Sequence, residues 1–296
     1  MSNIPSIELL LSPHWEDYEL LDCGDGLKLE RFGSHRVVRP EHQAIWEPAL
    51  SKSEWDDVDA LFQATNEETG GKWQLNRNFE TQWKMRYKTL SFMARITNSR
   101  HLGVFPEQAN HWDWIREQVI KCNKSIHVLN LFGYTGLASI AAAGAGARVT
   151  HVDAAKKSIQ YAKENQDLSG LSDKPIRWMI DDAIKFVKRE SRRGVRYDGI
   201  ILDPPKFGRG PKGEIWEFFK MLPYLLQEVK PVLAAQPVFL VITAYAIRAS
   251  ALSLHYSIQE MMSEFQGSLS SGELVIPEKS AGRILSMAIY SRWSSS

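Results

Sequence analysis

Beginning near residue 110, short apolar runs alternate with helical segments to the end of the chain, and this repeat constrains the fold most. HWDWIREQVIKC reads as a helix, SIHVLNLF (125–132) as a buried strand, and YTGLASIAAAGAG as a small-residue helix ending in glycines. RVTHVDA (148–154) is a second strand, followed by the helix KKSIQYAKENQDL. IRWMID (176–181) and the helix AIKFVKRESRR come next, then YDGIILD (197–203) and the helix IWEFFKMLPYLLQEVKPVL. PVFLVITAY (237–245) is a fifth strand, and a helix runs through SALSLHYSIQEMMSEF. GELVIPE and RILSMAIYSRW follow as two strands with no helix between them, and the tail SRWSSS is expected to fray. Strands alternating with helices make a mostly parallel sheet covered on both faces; a helix-free final pair adds one antiparallel strand. The expected fold is therefore α/β, with a seven-stranded Rossmann-like sheet.

The first third has a different character. Short β-like pieces such as LKLERFGSHRVVRP are separated by turns such as Gly24-Asp25-Gly26, and EWDDVDALFQA reads as a short helix. Trp15, Trp46, Trp55, Trp73 and Trp83 fall here. They read as the core of a small domain with few aliphatic residues, the alternative being an aromatic binding face. The expected division is a small β-rich N-terminal domain over 1–100 and a larger domain over 101–296. With 44% hydrophobic and 24% charged residues the chain can bury a core, and a net charge of +1 gives no global bias toward nucleic acid or membrane. The two cysteines, Cys23 and Cys122, have no metal-ligand spacing, so neither a disulfide scaffold nor a metal site is expected. No apolar run reaches membrane-spanning length and the N-terminus lacks a targeting pattern, so a cytoplasmic protein is expected.

Ligands of such sheets bind at the carboxyl ends of the strands. The first strand is followed by Phe132-Gly133-Tyr134-Thr135-Gly136. Glycines admit close approach of backbone to ligand, and the helix beyond offers its N-terminal amides. The G-x-x-G spacing differs from the G-x-G-x-x-G that cradles a pyrophosphate, which disfavours NAD; a plain tight turn is the alternative. The second strand ends at Asp153, placed to accept from both ribose hydroxyls of an adenosine-containing ligand, or else to cap the next helix. The third ends at Asp181-Asp182, where one carboxylate can accept from an adenine amine and the other caps a helix; Asp182 is the expected ligand contact. The fourth ends at Asp203-Pro204-Pro205. No single strand end is diagnostic, but the four together are specific.

VLNLFGYTG, VTHVDAAKKSIQYAKEN, IDDAIKF and YDGIILDPPKFGRG resemble the S-adenosylmethionine-binding motifs of the large-subunit ribosomal RNA methyltransferase family, over residues 101–296. GDGLKLERFG, RPEHQAIWEP and HLGVFPEQANHW resemble a bacterial branch of it. The resemblance implies a class I methyltransferase sheet, S-adenosylmethionine as cofactor, and an RNA base as acceptor. It adds Phe105 and Gln108 of GVFPEQ as cofactor contacts, although Phe105 also suits an ordinary core. Asn130 stands where many methyltransferases carry an acid; it can accept from the methionine ammonium without the charge attraction. Pro106 and Ala109 stand where members of the family carry other residues, including an arginine. The fifth strand ends ITAYAIR without a cysteine, which disfavours cytosine-C5 chemistry, since that needs a thiolate nucleophile.

On this reading Asp203 and the Pro204 carbonyl hold a planar nitrogen against the methyl group, in a turn that its prolines make rigid and acceptor-rich. Phe207 is placed to stack on a flipped-out base, with Lys206 intervening and able to face phosphate instead. A stiff strand terminator is the plain alternative for Asp-Pro-Pro. Residues 181–212 carry nine basic and five acidic side chains, a local +4 that suits RNA or a solvated helix end equally. GRGPKG is expected to be a mobile loop. A protein or small-molecule acceptor, and a non-catalytic module keeping the cofactor fold, remain the rival readings. Oligomeric state and acceptor atom are open.

Overall fold

The computed structural model describes residues 4–64, 70–77 and 80–295. The chain forms two compact units: one of residues 1–10, 110–274 and 288–296, the other of 11–109 and 275–287. This differs from a single cut at residue 100. The first strand joins the larger unit, and the segment between the last two strands returns to the smaller one. There Glu278 accepts from the Cys23 amide (2.8 Å) and Arg283 binds Glu278 (2.6 Å).

In the N-terminal region the elements are β1 (Ile7–Leu11), β2 (Tyr18–Gly24), β3 (Leu27–Phe32), β4 (His35–Pro40), α1 (Lys52–Asp56), β5 (Ala60–Ala64), β6 (Gly71–Leu75), β7 (Gln82–Tyr87) and β8 (Leu90–Arg95). β2 to β6 form one sheet in chain order, and β7 and β8 a two-stranded ribbon. The helix expected over EWDDVDALFQA is confined to α1; Ala60–Ala64 is a strand instead, because it pairs with β4 on one side and β6 on the other. The tryptophans are structural. Trp15 packs among Tyr18, Tyr87 and Phe92, and Trp83 against His35. The indoles of Trp46, Trp55 and Trp73 donate to Cys23 O, Asp22 and Ser99 O.

The larger unit contains α2 (Ala109–Lys121), β9 (His127–Leu131), α3 (Leu137–Gly144), β10 (Arg148–Asp153), α4 (Lys156–Leu168), β11 (Ile176–Ile180), α5 (Ala183–Arg192), β12 (Gly199–Leu202), β13 (Phe207–Arg209), β14 (Ile215–Glu217), α6 (Phe218–Val229), β15 (Phe239–Ala244), α7 (Ala251–Met261), β16 (Gly267–Pro277) and β17 (Ile284–Ser295). Its sheet has the order β1-β16-β17-β15-β12-β9-β10-β11. The seven expected strands are present and β1 adds an eighth at the edge. β11, β10, β9, β12 and β15 are mutually parallel, and β17 joins antiparallel to β15.

The period-two alternation of the strands feeds two cores. Leu129, Leu131, Ile200, Leu202, Leu240 and Ile242 pack with α5, α6 and α7, while Val128, Ile201, Phe239 and Val241 pack with Ile115 and Val119 of α2 and Ala142 and Ala143 of α3. Each fully buried aliphatic side chain contributes roughly 1.5–3 kcal/mol, so the two cores fix which face every strand residue takes. Two loop expectations change. The C-terminal tail does not fray, since β17 runs to Ser295 with Ser291 and Trp293 buried. GRGPKG is no loose loop but the turn of the β13–β14 hairpin, and residues 215–217 are strand where a helix was expected. No helix of the described residues is long and apolar enough to cross a membrane.

Candidate functional site

The sheet reverses its strand order beside β9, with β10 on one side and β12 on the other. Such a switch point opens a crevice at the carboxyl ends of the strands. Here four ends lie level, because the backbone ladder continues past each strand: Asp203 N bonds to Leu131 O (3.3 Å), Gly133 N to Val152 O (3.2 Å) and Asp181 N to Asp153 O (3.1 Å). Three inter-strand spacings, about 14 Å, separate the β12 end from the β11 end. Asp203, the glycine turn, Asp153 and the Asp181-Asp182 pair therefore line one edge.

The glycine turn is tightly built. Phe132 and Tyr134 have left-handed backbones (φ 59° and 50°), a conformation that costs a non-glycine residue roughly 1–2 kcal/mol. Asp153 offsets that cost: one carboxylate oxygen accepts from Tyr134 N (2.9 Å) and the other from Ala155 N (2.8 Å). Burial pushes the Asp153 carboxyl above its usual range, and these two amides pull the other way. Asp153 is not the cap of α4, whose N-cap is Ala155. A Cβ on Gly133 would run into the imidazole of His151, with all three nearest ring atoms within 2.9 Å. Gly136 (φ 83°) is the N-cap of α3 and has no side chain to cap it, so the first amides of that helix open on the strand-end edge. Asn165 donates to Thr135 O (3.0 Å) and holds the turn from α4.

Asn130 is buried one strand position before Leu131, and its amide donates to Ser139 Oγ (2.9 Å), which in turn meets His151 Nδ1 (2.9 Å). Burial lowers the His151 pKa to about 3, so the imidazole is neutral. Asp182 is the N-cap of α5, accepting from Lys185 N (2.9 Å) with one oxygen. Asp181 accepts from the Asp182 amide and pairs with Arg189.

At the β12 end the chain passes through Asp203 and a buried Pro204 into an exposed Pro205 and Lys206. Trp216 on β14 donates its indole N–H to Pro205 O (2.6 Å), and Phe218 N donates to Lys206 O (3.0 Å). The Trp216 ring lies 4.9 Å from that of Phe132, tying the Pro-Pro turn to the glycine turn. Phe207 opens β13 and is 54% exposed. Phe105 and Gln108 belong to the other unit: Phe105 precedes a 3-10 turn at Pro106–Gln108 and packs on His101 (4.8 Å). His151, Ser139, Asn165 and Trp216 were not singled out from the sequence. Their link to the turns is through space, and only the position of His151, two residues before Asp153, is a local hint.

Part of the basic excess of 181–212 is consumed locally. Lys185 pairs with Glu214, Lys188 with Glu228 (3.5 Å), Arg189 with Asp181 and Arg193 with Glu190 (3.2 Å). Cys122 is the cysteine of the larger unit. Cys122 lies in the link to the amino end of β9, the opposite edge of the sheet, and burial pushes the Cys23 thiol up to about 12.

A turn that a Cβ would close, uncapped helix amides and a row of carboxylates fit an adenosine-bearing, zwitterionic ligand. The S-adenosylmethionine-dependent methyltransferase family matches residues 39–252. The chain belongs to that family. Its cofactor is S-adenosylmethionine. The methyltransferase is 46% identical to the SAM-dependent methyltransferase from Agrobacterium tumefaciens, with a TM-score of 0.93 over 100% of this chain and 97% of that one. SMU.776, crystallised with SAH (S-adenosylhomocysteine), shares the fold at 18% identity, with a TM-score of 0.70 over 94% of this chain and 75% of that one. Ribosomal RNA large subunit methyltransferase I of Aeromonas salmonicida is 31% identical over 119 residues, 40% of this chain and 29% of that protein. Ribosomal RNA large subunit methyltransferase K/L of Shewanella sp. (strain ANA-3) is 38% identical over 125 residues, 42% and 17% of the two chains. The match thus spans less than a third of either curated relative.

Proposed function

We propose that the protein methylates a nitrogen of an RNA base, in large-subunit ribosomal RNA. The observation that carries this is the Asp203-Pro204-Pro205 corner, level with the glycine turn and braced by Trp216, with Phe207 exposed beside it. The names of the Aeromonas and Shewanella relatives support RNA as the acceptor class.

S-adenosylmethionine, when bound, supplies a methyl group already activated on a sulfonium. Asp153 would take the ribose hydroxyls on the lone pairs its two amide bonds leave, and Asp182 the adenine amine on its oxygen not used in capping. Gly133, Tyr134, Thr135 and Gly136 form the floor, and Phe132 a wall, with Asn130 and Asp181 supporting from behind. Asp203 and the Pro204 carbonyl accept from the N–H groups of a planar nitrogen, holding its lone pair in line with the methyl group. Phe207 stacks on the extruded base and Lys206 faces its phosphate. With no thiolate among the described residues of this edge, attack at C6 of cytosine has no nucleophile, which favours a nitrogen acceptor over cytosine C5.

The test is incubation with methyl-labelled S-adenosylmethionine and a lysate from cells lacking the gene, followed by separation of RNA, protein and small molecules. Label in large-subunit ribosomal RNA, mapped by nuclease digestion to a base nitrogen, is expected. Label confined to protein or small molecules refutes the RNA acceptor and leaves the cofactor site standing.

A further inference from the structure

The β13–β14 hairpin leaves Asp203-Pro204-Pro205 directly and has two unlike faces. In its register Phe207 lies opposite Glu217, Gly208 opposite Trp216, and Arg209 opposite Ile215. Cross-strand partners share a face and successive residues alternate. One face is therefore Gly208, half-buried, and Trp216, which is buried and packs on Phe132. The other is Phe207, Arg209, Ile215 and Glu217, and nothing in the larger unit covers it: Phe207 is 54% and Ile215 57% exposed. Phe219, next after the buried Phe218 at the start of α6, is 60% exposed. A short ribbon carrying this much bare apolar surface beside an active-site turn calls for an occupant.

Charge selects which occupant. The acids of the hairpin are neutralised within the chain: Glu214 pairs with Lys185, and Glu217 with Lys220 (2.6 Å). Among the described residues the Arg209 guanidinium and the Lys212 ammonium are in no ion pair, the Lys212 contact to Glu214 being through its backbone amide (2.8 Å). The outer face thus combines apolar side chains with the cation of Arg209, and Lys212 adds a second at the turn of the ribbon, in line with the turn that would hold the acceptor. An exposed aromatic beside unpaired cations is how sequence-tolerant single-stranded nucleic acid sites are made.

Resting on the RNA reading above, we infer that the outer face of this hairpin is a docking strip for the single-stranded RNA flanking the target base. Ile215 packs against a neighbouring nucleotide, and Arg209 and Lys212 each neutralise a phosphate. The strip runs from Phe207 outward to the turn, so the flanking strand leaves the site along the hairpin.

The experiment measures binding of a fluorescein-labelled 12-nucleotide single-stranded RNA of mixed sequence to the full chain, by anisotropy across a salt series, with methyl transfer to purified large-subunit ribosomal RNA from cells lacking the gene. Each single-strand phosphate contact contributes about 0.7 to the slope of log affinity against log salt. Arg209→Ala/Lys212→Ala should reduce that slope by about 1.4, which is roughly 25-fold weaker binding at 0.1 M salt and parity near 1 M. Ile215→Ser should weaken binding about 5-fold with the slope unchanged. Both variants should keep S-adenosylmethionine affinity by calorimetry, which also reports that the larger unit is folded. Wild-type transfer to RNA with variants that bind and turn over like wild type overturns the docking strip and leaves the RNA reading intact. No wild-type transfer to RNA overturns both.

Discussion

Replacing Gly133 with alanine puts a methyl group against a ring that has no room to yield. The φ of Gly133 is not left-handed, so backbone strain does not enter. The obstacle is His151, whose Nδ1 and Nε2 lie 2.5 and 2.9 Å from the position of the added Cβ. The imidazole is fully buried, bonded to Ser139 (2.9 Å) and packed edge-on to Trp178 (4.6 Å). Overpacking of this kind costs about 1–3 kcal/mol. In a unit of this size that lowers the melting temperature by about 2–12 °C. The strain falls on the turn that carries Tyr134 N to Asp153, so S-adenosylmethionine affinity should fall with stability. The deciding control is His151→Ala. Alone it opens a cavity and destabilises; combined with Gly133→Ala it makes room for the new methyl. The two penalties should then fail to add, with a coupling of about 1–3 kcal/mol in the stabilising direction. Urea unfolding of the four proteins and cofactor calorimetry measure both quantities. Strictly additive penalties, or a Gly133→Ala protein as stable and as tight-binding as wild type, would refute the steric account of this turn.

Asp153→Ala should lower cofactor affinity at least about 100-fold in calorimetry, and destabilise by about 2–4 kcal/mol because two backbone amides lose a charged acceptor. Unchanged affinity would remove Asp153 from the site. Asp203→Ala should spare cofactor affinity and cut methyl transfer by about 10²-fold or more; wild-type turnover would show that it does not orient the acceptor. Trp216→Phe keeps the packing on Phe132 but drops the bond to Pro205 O, and should slow kcat about 5-fold, equivalent to about 1 kcal/mol, with cofactor affinity unchanged. His151 titrates near 3 when folded and near 6.5 when unfolded, so below pH 6.5 the unfolded chain binds the extra proton. Stability from this group is complete above pH 6.5 and is lost as the pH falls toward 3, about 2 kcal/mol by pH 5. His151→Asn should flatten that part of the pH dependence in urea titrations, and identical pH profiles would refute it.

The parallel sheet was legible because both of its faces are covered. Strands such as Gly199–Leu202 and Phe239–Ala244 are buried throughout and, Thr243 apart, apolar, and the helices between them show their own period, so KKSIQYAKENQDL coincides with α4 residue for residue. The proposed strand-end residues were nameable for a related reason: Phe132, Asp182 and Asp203 stand just past a strand and Asp153 ends one, where position along the chain reports position at the sheet edge, whereas Phe105 and Gln108 lie at a 3-10 turn. Short segments with weak local preference were decided elsewhere. Ala60–Ala64 is a strand because β4 and β6 lie on either side of it, and Ser291–Ser295 is ordered because β15 pairs with it. GRGPKG turns as a hairpin because Trp216, seated against Phe132 and Pro205, anchors one face of the ribbon.

By itself, then, the order of residues determined the sheet, the row of strand ends and the chemistry those ends can hold, since all of these follow from periodicity and from what stands next to a strand. Tertiary structure alone decided that Asp153 braces the glycine turn, that Asp182 caps α5, that His151 forbids a side chain at Gly133, and that the β13–β14 hairpin shows a bare apolar and basic face. Each of these depends on atoms far apart in the chain being brought within a few ångströms, and no local pattern encodes such distances.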